Sequence, residues 1–125
     1  EASGQSAVQI TEVSKGYNIF NSNLRMVILV DKGSASASEI LAGALSEYNI
    51  ATLVGLTTFG KGSVQELVKL DNNAAIKITV AKWFTPNGVS ISDGGLVPKY
   101  EINITQDDIK NKRDPQNQKA IELLR

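Results

Sequence analysis

The sequence predicts an α/β domain, and three features predict it. Residues 24–31 form a nearly continuous apolar run of strand length, residues 36–48 carry apolar side chains at helical spacing, and residues 51–56 form a second short apolar run. Strand, helix and strand in that order make a βαβ unit, whose crossover is right-handed in almost every known case.

Ahead of this unit, Ala7 to Val13 alternates in polarity, with Val8 and Ile10 on one face, which predicts a half-buried strand. Ser14-Lys15-Gly16 reads as a turn, and Tyr17 to Phe20 as the returning arm of a hairpin. Asn21-Ser22-Asn23 then breaks the chain. The run Leu24 to Val30 shows no alternation, as expected for a strand covered on both faces. In the helix, Ala37, Ile40, Leu41, Ala44, Leu45 and Tyr48 form one apolar stripe over about three turns.

Val64 to Leu70 and Ala75 to Phe84 flank Asp71-Asn72-Asn73, a favourable turn, and predict a second hairpin. Its second arm sets Ile76, Ile78 and Val80 on one face and Lys77 and Thr79 on the other. Thr85-Pro86-Asn87-Gly88 and Asp93-Gly94-Gly95 are turn sequences. Thr105 caps a short helix with Asp107 and Asp108 in its first turn, where the helix dipole favours acids. Asp114 before Pro115 repeats the device for a terminal helix with Ala120, Ile121 and Leu124 as its apolar stripe. No repeat, low-complexity tract or linker interrupts the chain, so residues 1–125 read as one domain.

Composition narrows the function. Thirteen basic and thirteen acidic side chains cancel, so no net field favours nucleic acid or an anionic membrane. The chain has no cysteine, which excludes a thiol nucleophile, a disulfide framework and thiolate metal sites. It has no histidine, which excludes every Ser-His-Asp or Cys-His mechanism and histidine zinc sites within the chain. Neither a metal nor another cofactor is expected. A hydrolase built from these residues needs a lysine or a carboxylate as its base. The longest apolar run, Met26 to Val30, is far short of the roughly 20 residues that cross a bilayer. The polar, acidic start Glu1-Ala2-Ser3-Gly4-Gln5-Ser6 is no signal peptide and suggests a piece of a longer chain.

Two loops carry candidate chemistry. The first is Asp31-Lys32-Gly33-Ser34-Ala35-Ser36-Ala37-Ser38-Glu39, between the first strand and the helix. Serines there are ordinary helix caps. A serine at the carboxyl end of a parallel strand also sits where α/β sheets bind ligands. The Ala37 N–H, at the positive end of the helix dipole, is a donor that could hold an oxyanion, worth about 3–4 kcal/mol. The second loop, Thr57-Thr58-Phe59-Gly60-Lys61-Gly62-Ser63-Val64-Gln65, follows the next strand of the same unit. Most loop lysines are merely solvated. Neighbouring parallel strands, however, place their carboxyl ends side by side, so Ser36 and Lys61 can meet.

The stretch Gly33 to Leu45, followed by Thr58-Phe59-Gly60-Lys61-Gly62-Ser63-Val64-Gln65, resembles the active-site core of the C-terminal (tail-specific) processing protease family. Thr85-Pro86-Asn87-Gly88, Gly94-Gly95-Leu96-Val97-Pro98 and Asp114-Pro115-Gln116 extend the resemblance from Leu24 to the end, in the family's order and spacing. It implies a ClpP/crotonase-like α/β fold and a serine endopeptidase working through a Ser-Lys dyad and an acyl-enzyme. The nucleophile falls on Ser36, the base on Lys61, the residue orienting that lysine on Gln65, and one oxyanion donor on the Ala37 amide. Independently of the resemblance, a serine hydroxyl needs a neighbouring base, and a lysine is one only as the free amine. Gln65 can accept a hydrogen bond from that amine without adding the negative charge that would hold it as ammonium.

Complete relatives carry a substrate-capturing PDZ domain and a glycine motif supplying a second oxyanion donor, and neither occurs in these residues. Residues 1–23 correspond to a variable hairpin and 24–125 to the catalytic core, so this piece is expected to be weakly active or inactive alone. A supporting acid in some relatives aligns with Glu47, where a solvent-facing charge is expected. The resemblance further implies polypeptide substrates with unstructured C-termini, a bacterial periplasm or cell envelope, and room for a homo-oligomer. The competing readings are a non-catalytic protein-binding module on the same fold and an acyl-CoA enzyme, which would need no serine and lysine at these two places.

Overall fold

The computed structural model describes residues 8–11, 13, 16, 23–71, 74–92 and 94–125. Its elements run β1 (Met26–Val30), α1 (Ala37–Glu47), β2 (Ala51–Gly55), β3 (Ser63–Lys69), β4 (Ala75–Lys82), β5 (Tyr100–Glu101), α2 (Gln106–Lys110) and α3 (Pro115–Leu124). The first three are the expected βαβ unit, since β1 pairs parallel to β2 from Met26 opposite Ala51 to Val30 opposite Gly55.

The sheet has a third parallel strand, β5, in the order β1-β2-β5. It pairs Tyr100 with Val54 and Glu101 with Gly55. Two residues are too few to show a period, and the sequence reading has no strand there. The order leaves β1 at an edge. Leu29 is accordingly 46% exposed, so the expectation of a strand covered on both faces fails for β1. It holds better for central β2, where Leu53, Val54 and Gly55 are all buried.

Val30, Ala42 and Leu53 form the core cluster, with Ile28 and Leu96 packed against it. Removing side chains the size of Leu53 and Val54 from water stabilises the fold by about 2 kcal/mol each. The buried face of α1 is not the apolar stripe read from the sequence. Glu39, Ala42 and Gly43 face inward, while Leu41 and Tyr48 are 60% and 66% exposed. Close approach explains the difference. A Cβ on Gly43 would lie 3.2 Å from the Thr85 methyl and 3.5 Å from Leu96, so the helix docks through its smallest residues.

The antiparallel hairpin β3–β4 forms its own two-stranded sheet and lies open along its length. The Leu70 N–H donates to the Ala74 carbonyl at 2.9 Å next to the turn, whose residues 72–73 lie outside the described ones. A bulge interrupts the register between Val64 and Gln65. The Thr105 hydroxyl caps α2 by accepting from the Asp108 N–H. Asp114 caps α3 by accepting from the Asn117 N–H at 2.9 Å, with Pro115 in the first turn. Of the α3 stripe only Ala120 is buried, and Ile121 and Leu124 stay near half exposed.

Residues 8–11 and 13 form no strand, and Val8, Ile10 and Val13 are 86%, 79% and 78% exposed. Alternation alone makes no strand where no neighbour pairs the backbone or covers the apolar face. The return arm expected at Tyr17 to Phe20 lies outside the described residues.

Candidate active site

The carboxyl ends of β1 and β2 lie side by side, Val30 opposite Gly55, so the loops that leave them run together. Just past β1, the Asp31 carboxylate accepts from the N–H groups of Gly33 and Ser34, each at 2.9 Å. This local bond turns the chain toward the helix. The Phe59 N–H donates to the Ser34 carbonyl at 2.9 Å and ties the second loop to the first.

Ser36 is the N-cap of α1 and has φ 56° and ψ −117°, a conformation that side chains other than glycine rarely adopt. Holding a serine there costs about 1–3 kcal/mol. The carboxylate arm of its capping box is a full hydrogen bond, from the Ser36 N–H to Glu39 Oε2 at 2.9 Å. The Ser36 hydroxyl faces the Glu39 N–H as the other arm of the box but falls short of a full hydrogen bond to it, and that N–H donates to the Ser36 carbonyl at 2.9 Å. Sharp strand-to-helix turns of this kind lift a serine oxygen clear of the sheet. Among the described residues the Ala37 N–H has no acceptor.

Lys61 follows Gly60, whose φ of 85° is left-handed, and precedes buried Gly62. A Cβ on Gly62 would lie 2.7 Å from the Ser92 nitrogen and 2.8 Å from its hydroxyl. The loop therefore passes against the 91–92 turn only because that side chain is missing. β3 then places Gln65 at its bulge, a device that redirects side chains. Ser36, Lys61 and Gln65 come together as walls of one open cleft of about 320 Å³, with Ser63, Val64, Lys77 and Trp83. They do not hydrogen-bond to one another there, as is common before substrate tightens a site. Among the described residues no acid lines the cleft and Lys61 has no ion pair.

Behind the cleft lies Glu39, a residue to which the sequence reading gave no role. It is fully buried, yet every donor around it is a neutral group. Oε1 accepts from the Thr58 hydroxyl and from the Gly60 N–H at 2.6 Å. Oε2 accepts from the Ser36 and Lys61 N–H groups, each at 2.9 Å. Burial alone would push this carboxyl up; the bonds from Thr58, Gly60, Lys61 and Ser36 outweigh it and hold the group below its ordinary 4.5. The signal in the sequence was Ser36-Ala37-Ser38-Glu39, the spacing of a capping box. It foretells the bond to Ser36 but not the three from the other loop.

Glu47 is not the solvent-facing charge expected. It is partly buried, and its Oε2 accepts from the Asn87 N–H at 2.8 Å, which pins the Thr85–Gly88 turn to the end of α1. It lies outside the cleft. A second cleft of about 250 Å³ is lined by Ala51, Thr52 and Lys99 among others. It sits at the amino end of β2, away from the end where parallel sheets carry their chemistry.

The chain has relatives among known proteins. The chain is 46% identical over 102 residues to a carboxyl-terminal-processing protease of Synechocystis, covering 79% of this chain and 24% of that protein. It is 52% identical over 75 residues to the carboxy-terminal processing protease CtpB of Bacillus subtilis, covering 60% and 16%. The solved photosystem II D1 C-terminal processing protease superposes with a TM-score of 0.59 at 40% identity, over 67% of this chain and 22% of that one. The chain thus spans a quarter or less of the length of these relatives. The sequence model of peptidase family S41 matches residues 2–102, and the chain belongs to that family.

Proposed function

We propose that this chain is the catalytic core of a serine endopeptidase that cuts polypeptides near their C-terminal tails through a Ser36–Lys61 dyad. One observation carries the proposal: a serine on a strained helix cap shares a cleft with a lysine and a glutamine, and among the described residues no acid lines that cleft. A carboxylate there would favour the ammonium form and deprive the lysine of its function.

In this mechanism the Lys61 amine accepts the Ser36 hydroxyl proton as Oγ forms a bond to the substrate's carbonyl carbon. The carbonyl oxygen takes the electron pair of the C=O bond, and the Ala37 N–H stabilises it. On collapse the C–N bond breaks and the Lys61 ammonium returns its proton to the departing amine, leaving an acyl ester on Ser36. Water then attacks the ester, giving its proton to Lys61, and the carboxylic acid departs as Ser36 regains its hydrogen. Gln65 keeps the amine aimed at the hydroxyl without adding charge.

The same reading takes the sheet and helices as a ClpP/crotonase-like core, with a PDZ domain and a second oxyanion donor elsewhere in the full-length chain. By that account these 125 residues alone are weakly active or inactive. Its placement in a bacterial periplasm or cell envelope rests on family resemblance only. A homo-oligomer is compatible with it. The test is peptide cleavage by the full-length protein and by its Ser36→Ala and Lys61→Ala variants. Loss of turnover in both folded variants supports the dyad, and turnover by either refutes it.

A further inference from the structure

We infer that Glu39 is a positioning residue that sets the spacing of nucleophile and base, an inference that rests on the Ser36–Lys61 reading. Both residues donate their backbone N–H to the same oxygen, Oε2, each from 2.9 Å. Two nitrogens on one acceptor lie within about 6 Å of each other, whatever the rest of the chain does. The loops holding the dyad come from different strands, and this oxygen is their common reference.

Capping α1 does not account for the arrangement. The glutamate of a capping box accepts from one N–H, that of the N-cap residue, and the Ser36 bond is that one. The other three donors, Thr58 Oγ1, Gly60 N and Lys61 N, belong to the loop after β2. Thr58 extends the hold, because its hydroxyl oxygen also accepts from the Leu96 N–H at 2.7 Å, and Leu96 packs on the core. A chain of bonds thus runs from the core through Thr58 and Glu39 to both dyad residues.

Four donors require four acceptor positions, and only a carboxylate of this length offers them. Glutamine keeps the shape but turns its NH₂ toward either Ser36 and Lys61 or Thr58 and Gly60, so one pair loses its acceptor. Aspartate is one methylene short.

The test uses the full-length protein and the rate at which a fluorophosphonate labels Ser36, a readout independent of peptide preference. Displacement by about 1 Å costs on the order of 100-fold in rate. Glu39→Gln is therefore expected to slow labelling by about 100-fold and to lower kcat, measured per titrated active site, by a similar factor. KM for a fluorogenic peptide should stay within about threefold, because no substrate contact is removed. Thr58→Val, which removes one donor and leaves both dyad amides in place, should slow labelling by about tenfold, and it tests the inference should Glu39→Gln fail to fold. A folded variant of either kind that melts lower but labels at the wild-type rate shows a purely structural role and overturns the inference. Labelling or hydrolysis that persists in Ser36→Ala overturns the dyad reading, and this inference with it.

Discussion

The backbone N–H of Ser36 and the backbone N–H of Lys61 meet on one oxygen of the buried Glu39 carboxylate. The two side chains enter the cleft from opposite loops, but their main chains are fixed to a single point. The stability and the proposed chemistry of the site are therefore linked, and each can be perturbed separately.

Ser36 stores strain. At φ 56° a glycine is relaxed where a serine is not. Relief of about 1–3 kcal/mol exceeds the roughly 0.4–1 kcal/mol that glycine adds to unfolded-chain entropy. Ser36→Gly should raise stability by about 1 kcal/mol, a melting shift of about 4 °C. Ser36→Ala, which keeps the Cβ, should leave stability within about 0.5 kcal/mol. Both should lose hydrolysis. Thermal melts of the two variants beside the wild type check this.

Lys61→Arg should fail almost as completely as Lys61→Ala, because a guanidinium does not give up its proton in proteins. General-base catalysis is worth about 10²–10⁴-fold, so kcat/KM should fall by at least about 100-fold in both. Peptide hydrolysis measured on the folded variants decides it.

Gln65→Glu adds a carboxylate to a cleft that has none among its described lining residues. It should favour the ammonium form of the lysine and move the pH at which activity appears upward, with a lower rate at neutral pH. A pH–rate profile unmoved by this change would remove Gln65 from the site.

Acid should loosen the site through Glu39. Its folded-state pKa lies below the ordinary 4.5. The stability it contributes is therefore complete above the unfolded value and is lost as pH falls through the folded one. Asp108, held low by its bonds from Thr105 and by Arg113, contributes over a similar acidic range, so the comparison belongs in an Asp108→Asn background. There, melting temperature should drop below about pH 4.5, and Glu39→Gln should flatten that drop while lowering stability at pH 7 by about 2–4 kcal/mol.

Much of this was legible in the residues. The strand, helix and strand from Met26 to Gly55 follow from an apolar run, a helical period and a second run, and the caps at Thr105 and Asp114 from residue type alone. Ser36 and Lys61 sit on loops that the parallel pairing of β1 and β2 places together, Gln65 follows on β3, and the three share a cleft. What escaped depends on tertiary contact. The inward face of α1 is chosen by how near Gly43 can come to Thr85 and Leu96, which a periodic stripe does not encode. β5 is two residues long and exists through its partners. The four-donor role of Glu39 appears only once the loop after β2 folds over it.

Proton transfer from Ser36 to Lys61 is tested most directly by the rate of fluorophosphonate labelling in the full-length protein and its Lys61→Met variant, with the adduct located by mass spectrometry. The account predicts an adduct on Ser36 and a loss of at least about 100-fold in Lys61→Met. Labelling of Ser36 at an undiminished rate without that amine, or an adduct on another residue, would contradict it.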